Sequence, residues 1–377
     1  TYQESEIQEI LKKNPYSFLQ IIHPFFKKNT FNTLEEKFEN VKKQYESFKD
    51  TNIFFRESQP IFYLYKKETE NGNFIGLIAA TSTKDYKKNI IKKHEKTLKK
   101  REILFKNYLK KTGFNAEPVL LTYPDNPTIE KIINAYKVKK PEYQFQTQTG
   151  KNHSLWLIDD INDIQNIKNE FKKIESLYIA DGHHRSASSY LLSKDLNTKE
   201  SNYFLSYLIP ESNLKIASFN RLVNTLNNLS ESDFLQKLSK KFDIIKMEEA
   251  ILEPNESHQF SMYLGNNTYL LKLKSTAYNF KTSLHELDTH ILYKNILKKI
   301  LGIENVRTDK RLAYISQFKG QQYLKDKVVS GEFKVAFGLF PATIEQMKKI
   351  SDEGLIMPPK STYILPKLKS GLIIYEF

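Results

Sequence analysis

Residues 178–190 read Tyr-Ile-Ala-Asp-Gly-His-His-Arg-Ser-Ala-Ser-Ser-Tyr. Asp181, His183, His184 and Arg185 place a carboxylate, two imidazoles and a guanidinium within one short turn. These groups serve general acid–base catalysis, metal binding and phosphate binding. The apolar run 177–180 predicts a buried strand, Asp181 and Gly182 the turn, and His183 onward a helix with small residues such as Ser186 on one face. At such a helix start the N–H groups and the dipole favour an anion. A turn that only caps a helix needs the glycine and at most the aspartate. With 8 histidines in 377 residues, two adjacent ones are poor filler.

Other stretches carry chemistry less sharply. In Lys92-Lys93-His94-Glu95-Lys96-Thr97, His94, Glu95 and Thr97 offer a base, a carboxylate and a hydroxyl. A solvated helix face explains the same residues, and the second histidine of a His-Glu-x-x-His zinc motif is absent. In Met357-Pro358-Pro359-Lys360-Ser361-Thr362, prolines stiffen a loop that presents one cation and two hydroxyls, groups suited to phosphate oxygens. It lacks the glycines of a Walker loop, and a polar surface loop is the competing reading. His153 precedes the single tryptophan, Trp156, on an expected strand, as a ligand or as a half-buried strand-end histidine. Arg221 and Arg307 either clamp an anion or make structural ion pairs. Asn14 to Phe18 either lines a cleft or packs a core.

These groups need a scaffold, and the chain is long enough for two lobes. Hydrophobic residues make up 40% and aromatics 13%. No window has the apolar length of a membrane span, and no secretory signal is visible at residue 1, so a cytoplasmic protein is expected. Cysteine is absent, which excludes disulfides, thiolate nucleophiles and cysteine-bound zinc. The net charge of +14 comes mostly from lysine at helical spacing, which solvated helix faces explain without nucleic acid. Patterning predicts helices over 2–13, 34–49, 85–111, 128–137, 161–173, 231–240, 285–300, 319–328 and 343–349. Strands are expected over 61–65, 74–80, 118–122, 142–148, 153–158, 203–209, 333–340 and 372–375, with a hairpin over 259–274.

The motifs Asn14-Pro15-Tyr16-Ser17-Phe18, His94-Glu95-x-Thr97, His153-x-x-Trp156, Asp181-Gly182-His183-His184-Arg185 and Met357 to Thr362 occur in this order. The series resembles a bacterial and archaeal family catalogued as domain of unknown function 1015, the DGHHR proteins, related to the ParB/sulfiredoxin superfamily. The resemblance implies an α+β fold: a mixed-sheet, two-lobed protein with a ParB/sulfiredoxin-like core. Lobes are expected at 1–210, carrying the Asp-Gly-His-His-Arg turn, and at 211–377, carrying the Lys360 loop. The family's members carry a further strand and a Pro-Tyr-Asp segment before the first helix, so residues ahead of Thr1 are expected.

In that superfamily the corresponding turn opens a helix and holds nucleotide phosphates, which here implies Gly182 to Arg185. The superfamily includes free-serine kinases, some similar to pyrophosphate-dependent ones. The resemblance therefore implies a phosphotransferase that makes O-phosphoserine from L-serine with pyrophosphate or a nucleotide. Glu95 is the expected base. His183, His184 and Arg185 bind the transferring phosphoryl, and Lys360, Ser361 and Thr362 the other phosphate. His94, Thr97, Gly182, Ser186, His153 and Arg221 complete the expected binding residues, and Asp181 orients substrate or holds Mg²⁺. The partners are these small molecules, with neither nucleic acid nor membrane expected. Two other readings stay open: a ParB-type nucleotide-binding, DNA-associated protein, and a phosphohydrolase with a metal on His183, His184 and His94.

Overall fold

A computed structural model of the chain describes residues 3–23, 31, 33–147, 149–277 and 280–377. Tyr2 and residue 148, used above, lie outside these residues. The fold is α+β with mixed sheets. The chain forms two compact units. The first comprises 1–92, 97–214 and 366–377, and the second comprises 93–96 and 215–365. The main crossing, at 214/215, lies four residues from the expected 210/211, and the chain end belongs to the first unit.

In the first unit, α1 (Glu4–Lys13), α2 (Leu19–Ile22) and α3 (Leu34–Asp50) lead into a hairpin of β1 (Phe62–Thr69) and β2 (Gly72–Ser82). Then follow α4 (Thr83–Lys87), β3 (Ile91–Lys92), α5 (Lys99–Thr112), β4 (Phe114–Asn115), β5 (Val119–Tyr123) and α6 (Pro127–Lys137). The unit continues with β6 (Tyr143–Gln146), β7 (Asn152–Ile158), α7 (Ile161–Lys173), β8 (Leu177–Asp181), α8 (His183–Leu196) and β9 (Tyr203–Pro210). Eight of these strands form one sheet in the order β3-β8-β5-β9-β2-β1-β7-β6. The β5/β9 and β3/β8 pairs are parallel and the rest antiparallel. Every residue of β5 is buried, as a central strand covered on both faces requires. One sheet face packs Leu64, Leu77, Leu121, Trp156, Ile158 and Ile179 against Ile129, Ile133 and Ile167 of α6 and α7.

The second unit holds β10 (Lys215–Ala217), β11 (Phe219–Val223), α9 (Glu231–Ser239), β12 (Phe242–Met247), and the hairpin β13 (Gln259–Leu264) and β14 (Asn267–Leu273). After these come α10 (Asp288–Leu292), β15 (Leu312–Ser316), α11 (Gly320–Val329), β16 (Val335–Leu339), α12 (Ile344–Asp352) and β17 (Tyr363–Leu365). Six strands make an antiparallel sheet, β12-β14-β13-β16-β11-β15. Its faces alternate: Val223, Met262 and Phe337 pack with α9 and α10, while Leu222, Tyr263 and Ala336 pack with α11. The last strand, β18 (Tyr375–Glu376), pairs with β4 in the first unit.

Three expectations change. The helix expected over 85–111 is two helices separated by β3. Asn89 takes a left-handed φ of 59° that ends the first turn, and Ile91, fully buried, joins β8 as an edge strand. Lysine spacing alone carried that expectation, and burying Ile91 outweighs it. The helix expected over 285–300 opens with a 3₁₀ turn and passes from α10 into a π-helical stretch, Tyr293–Lys298. The apolar end is a strand only at Tyr375–Glu376.

In this region burial raises the Asp288 carboxyl to about 7, against the backbone N–H of His258 that donates to it at 2.8 Å. A raised acid stabilises the fold below its ordinary pKa, and that contribution is lost as pH rises through 7. Burial first, then His285 and Lys294, hold His290 down at about 4, so its neutral burial costs stability as pH falls below 6.5. The two effects oppose each other in the wild type. Asp288→Asn removes the first, so the variant gains stability relative to wild type between pH 5 and pH 8. The expected gain is on the order of 2 kcal/mol in denaturant melts; a pH-independent difference would contradict it.

Candidate functional site

In the first unit, β8 ends at Asp181 and α8 begins at His183, with Gly182 as the sole residue between them. Gly182 has φ +105°, a conformation side chains rarely adopt, and a Cβ there would lie 3.1 Å from the Arg185 guanidinium carbon. The glycine thus turns the chain and lets Arg185 fold back over the turn. Among the described residues no side chain caps α8. Ser186, fully buried, donates its hydroxyl to the Gly182 carbonyl at 3.3 Å. Buried Ser186, Ala187, Ser188 and Ser189 let the helix pack closely. Gly182→Ala is expected to cost about 1–3 kcal/mol and to displace Arg185; an unchanged melting temperature would contradict this.

Arg185 donates to the Pro118 carbonyl and lies 3.4 Å from Glu117 and 3.7 Å from Asp181. Asp181 also takes Lys367 at 3.0 Å. Burial pushes the Asp181 carboxyl up, but the Lys367 and Arg185 charges, with hydrogen bonds from Lys367 and the Gly182 backbone, outweigh it and hold it below the usual range. His183 is buried. His184 Nε2 accepts the Leu98 N–H at 3.0 Å, at the start of α5, which fixes that nitrogen unprotonated. Thr97 donates to Glu102. His153 is fully buried in β7, with Nδ1 2.6 Å from the Tyr65 hydroxyl.

The second unit holds the other expected residues. His94 and Glu95 lie on the irregular stretch after β3, not on a helix face. His94 is buried and its carbonyl accepts the Met357 N–H at 2.9 Å. Arg221, on β11, is 2% exposed. It donates to the carbonyls of Phe219 at 2.5 Å and Lys360 at 2.9 Å, and its guanidinium carbon lies 4.5 Å from the centre of the Tyr314 ring. Among the described residues no carboxylate pairs with it. Lys360 takes a left-handed φ of 57°, and its ammonium lies 5.0 Å from the centre of the Phe219 ring. Ser361, buried, bonds to Thr289 at 2.8 Å and donates to the Pro358 carbonyl at 2.7 Å; Thr362 is also buried. The loop is therefore pinned from several sides.

Several alternatives resolve. Asp309, two residues after Arg307, pairs with Arg311. Phe18 packs beside Phe114, while Asn14, whose Oδ1 accepts the Tyr16 N–H, and Tyr16 itself lie exposed. Among the described residues no three His, Cys, Asp or Glu side chains stand close enough to hold a metal. Magnesium does not fit at Asp181 as placed, because Lys367 and Arg185 already meet its charge and a dication would face both. Lys367 and Lys67 were not singled out by sequence. Lys67 donates to the Lys367 carbonyl, an approach across 300 residues that no local pattern signals.

Residues 1–290 match the family described as "Protein of unknown function (DUF1015)". The chain belongs to this family. The match takes in the whole Asp-Gly-His-His-Arg turn of this DUF1015 member and stops before the Lys360 loop. No curated protein matches the chain. Among solved structures, the chain is similar to a free serine kinase in complex with AMP, at 14% identity and a TM-score of 0.39, covering 77% of this chain and 88% of that one. It is similar to a conserved hypothetical protein from Pyrococcus furiosus, at 14% identity and a TM-score of 0.36, covering 78% and 94%. SbnI with a C-terminal truncation, from Staphylococcus aureus, shows 12% identity and a TM-score of 0.41, covering 78% and 87%. Scores at this level describe a partial likeness of chain course and say nothing about chemistry.

Proposed function

We propose that the protein is a small-molecule phosphotransferase that moves a phosphoryl group from pyrophosphate, or a nucleotide, to the hydroxyl of free L-serine. The observation that carries this reading is Arg221, a buried guanidinium with carbonyls and a ring for partners and, among the described residues, no carboxylate. An uncompensated buried cation is costly, and a phosphate supplies the charge and the geometry it lacks. The uncapped start of α8 beside Arg185 and the ordered series of five motifs support the same reading.

The serine hydroxyl oxygen attacks phosphorus. The new O–P bond forms as the bond to the bridging oxygen breaks, and inorganic phosphate (AMP, from ADP) leaves. Glu95 takes the hydroxyl proton. The work is positioning and charge neutralisation, because the transition state spreads charge over the equatorial oxygens. Arg185, His183 and His184 hold the transferring phosphoryl. Arg221, Lys360, Ser361 and Thr362 form a phosphate-binding group within the second unit. Asp181 orients Lys367 and Arg185. His94 and Thr97 fix the ends of the segment that carries Glu95.

The reverse direction offers an independent test. O-phosphoserine with inorganic phosphate should yield serine and pyrophosphate, and with AMP should yield ADP. Absence of both products, together with absence of transfer in the forward direction, would overturn the proposal.

A further inference from the structure

The large sheet of the first unit has two faces of different character. Leu64, Ile75, Leu77 and Trp156 line the apolar one. Strand alternation puts Tyr65, Lys67 and His153 on the other. Lys67 and His153 are register partners on β1 and β7, so their side chains stand next to each other, with Cβ atoms about 5 Å apart. Lys67 is 6% exposed and His153 0%.

Both groups are left with unused hydrogen-bonding atoms. The Lys67 ammonium has three protons and one acceptor, the Lys367 carbonyl. Among the described residues no carboxylate pairs with it. His153 meets the Tyr65 hydroxyl through Nδ1, and among the described residues its Nε2 has no partner. With the hydroxyl donating to Nδ1, the ring proton sits on Nε2, on the side away from Tyr65. Phe145 lies flat on the imidazole, with ring centres 4.7 Å apart and planes 2° apart, which fixes the ring. Burial, then Lys67, Lys369 and Lys151, hold His153 down at about 4, so the ring is neutral at pH 7. Buried donors without acceptors are rare, and two side by side point to one shared acceptor.

We infer that Lys67 and His153 form a subsite for the carboxylate of a small amino acid, the ammonium and the Nε2–H each donating to one carboxylate oxygen. One positive charge and two adjacent donors match a planar monoanion better than a phosphate dianion. Lys367 joins this subsite to the Asp-Gly-His-His-Arg turn, since its carbonyl takes Lys67 and its ammonium takes Asp181. The inference rests on the proposed function in taking a free amino acid as acceptor.

Histidine side-chain ¹H–¹⁵N spectra of the full chain test it, with the His153 signal assigned by its loss in His153→Gln. Titration with L-serine should move the Nε2 resonance, and ethanolamine, which lacks the carboxylate, should leave it in place. In Lys67→Met, an apolar replacement of similar length, the serine response should weaken at least tenfold, and Lys67→Arg should restore part of it. A resonance that serine does not move, or that ethanolamine moves equally, overturns the subsite. Movement with inorganic phosphate but not serine overturns the carboxylate assignment. The proposed function fails differently, by the absence of phosphoryl transfer while the serine response persists.

Discussion

Arg185→Ala should lower phosphoryl transfer by about 100- to 1,000-fold, the scale of losing one preorganised charge donor. The guanidinium is held by the Pro118 carbonyl, Glu117 and Asp181, and the backbone freedom of Gly182 gives it room to fold over the turn. A group fixed in this way spends little reorganisation when charge develops on a transferring phosphoryl. The loss should therefore fall mainly on kcat, with a smaller rise in the donor KM. Arg185→Lys keeps the charge but not the planar fork, and should recover only part of the rate. Melting temperatures separate this account from a packing role. A loss below tenfold, or one that tracks lost stability, would make the turn structural.

Arg221→Met should leave the protein as stable as wild type or more so, by up to about 4 kcal/mol, while abolishing its response to pyrophosphate. Replacing a buried charge by an apolar side chain of similar length removes a desolvation cost. Among the described residues no carboxylate repays that cost; two carbonyls and the Tyr314 ring are its partners. Wild type should be stabilised by pyrophosphate in proportion to the logarithm of its concentration, about 2.7 kcal/mol at a hundredfold excess over Kd. A strongly destabilised Arg221→Met that still responds to pyrophosphate would show that the arginine serves the fold alone.

Local patterns carried much of this architecture. The run 177–180, the lone glycine and the small-residue face after it foretold β8 and α8, because strand alternation and helix packing are written in neighbouring residues. The β1/β2 and β13/β14 hairpins were legible for the same reason. The stretch 85–111 misled, since lysines at helical spacing describe solvent, whereas Ile91 answers to β8, far along the chain. Arg221 stood out as a residue type, but its lack of a carboxylate depends on the strands and loop around it. Lys67 and Lys367 meet across the whole chain, and the carbonyl that Lys67 finds is set by tertiary packing. Residue chemistry could be read at the turn; the partners that tune it could not.

The most direct measurement follows ³¹P spectra of the protein with L-serine, Mg²⁺ and, in turn, pyrophosphate, ADP and ATP. The account expects an O-phosphoserine signal to grow with one of these donors, with phosphate or the shortened nucleotide appearing in equal amount, and expects Arg185→Ala to suppress both. Donor hydrolysis without phosphoserine, or no consumption of any donor, would contradict it.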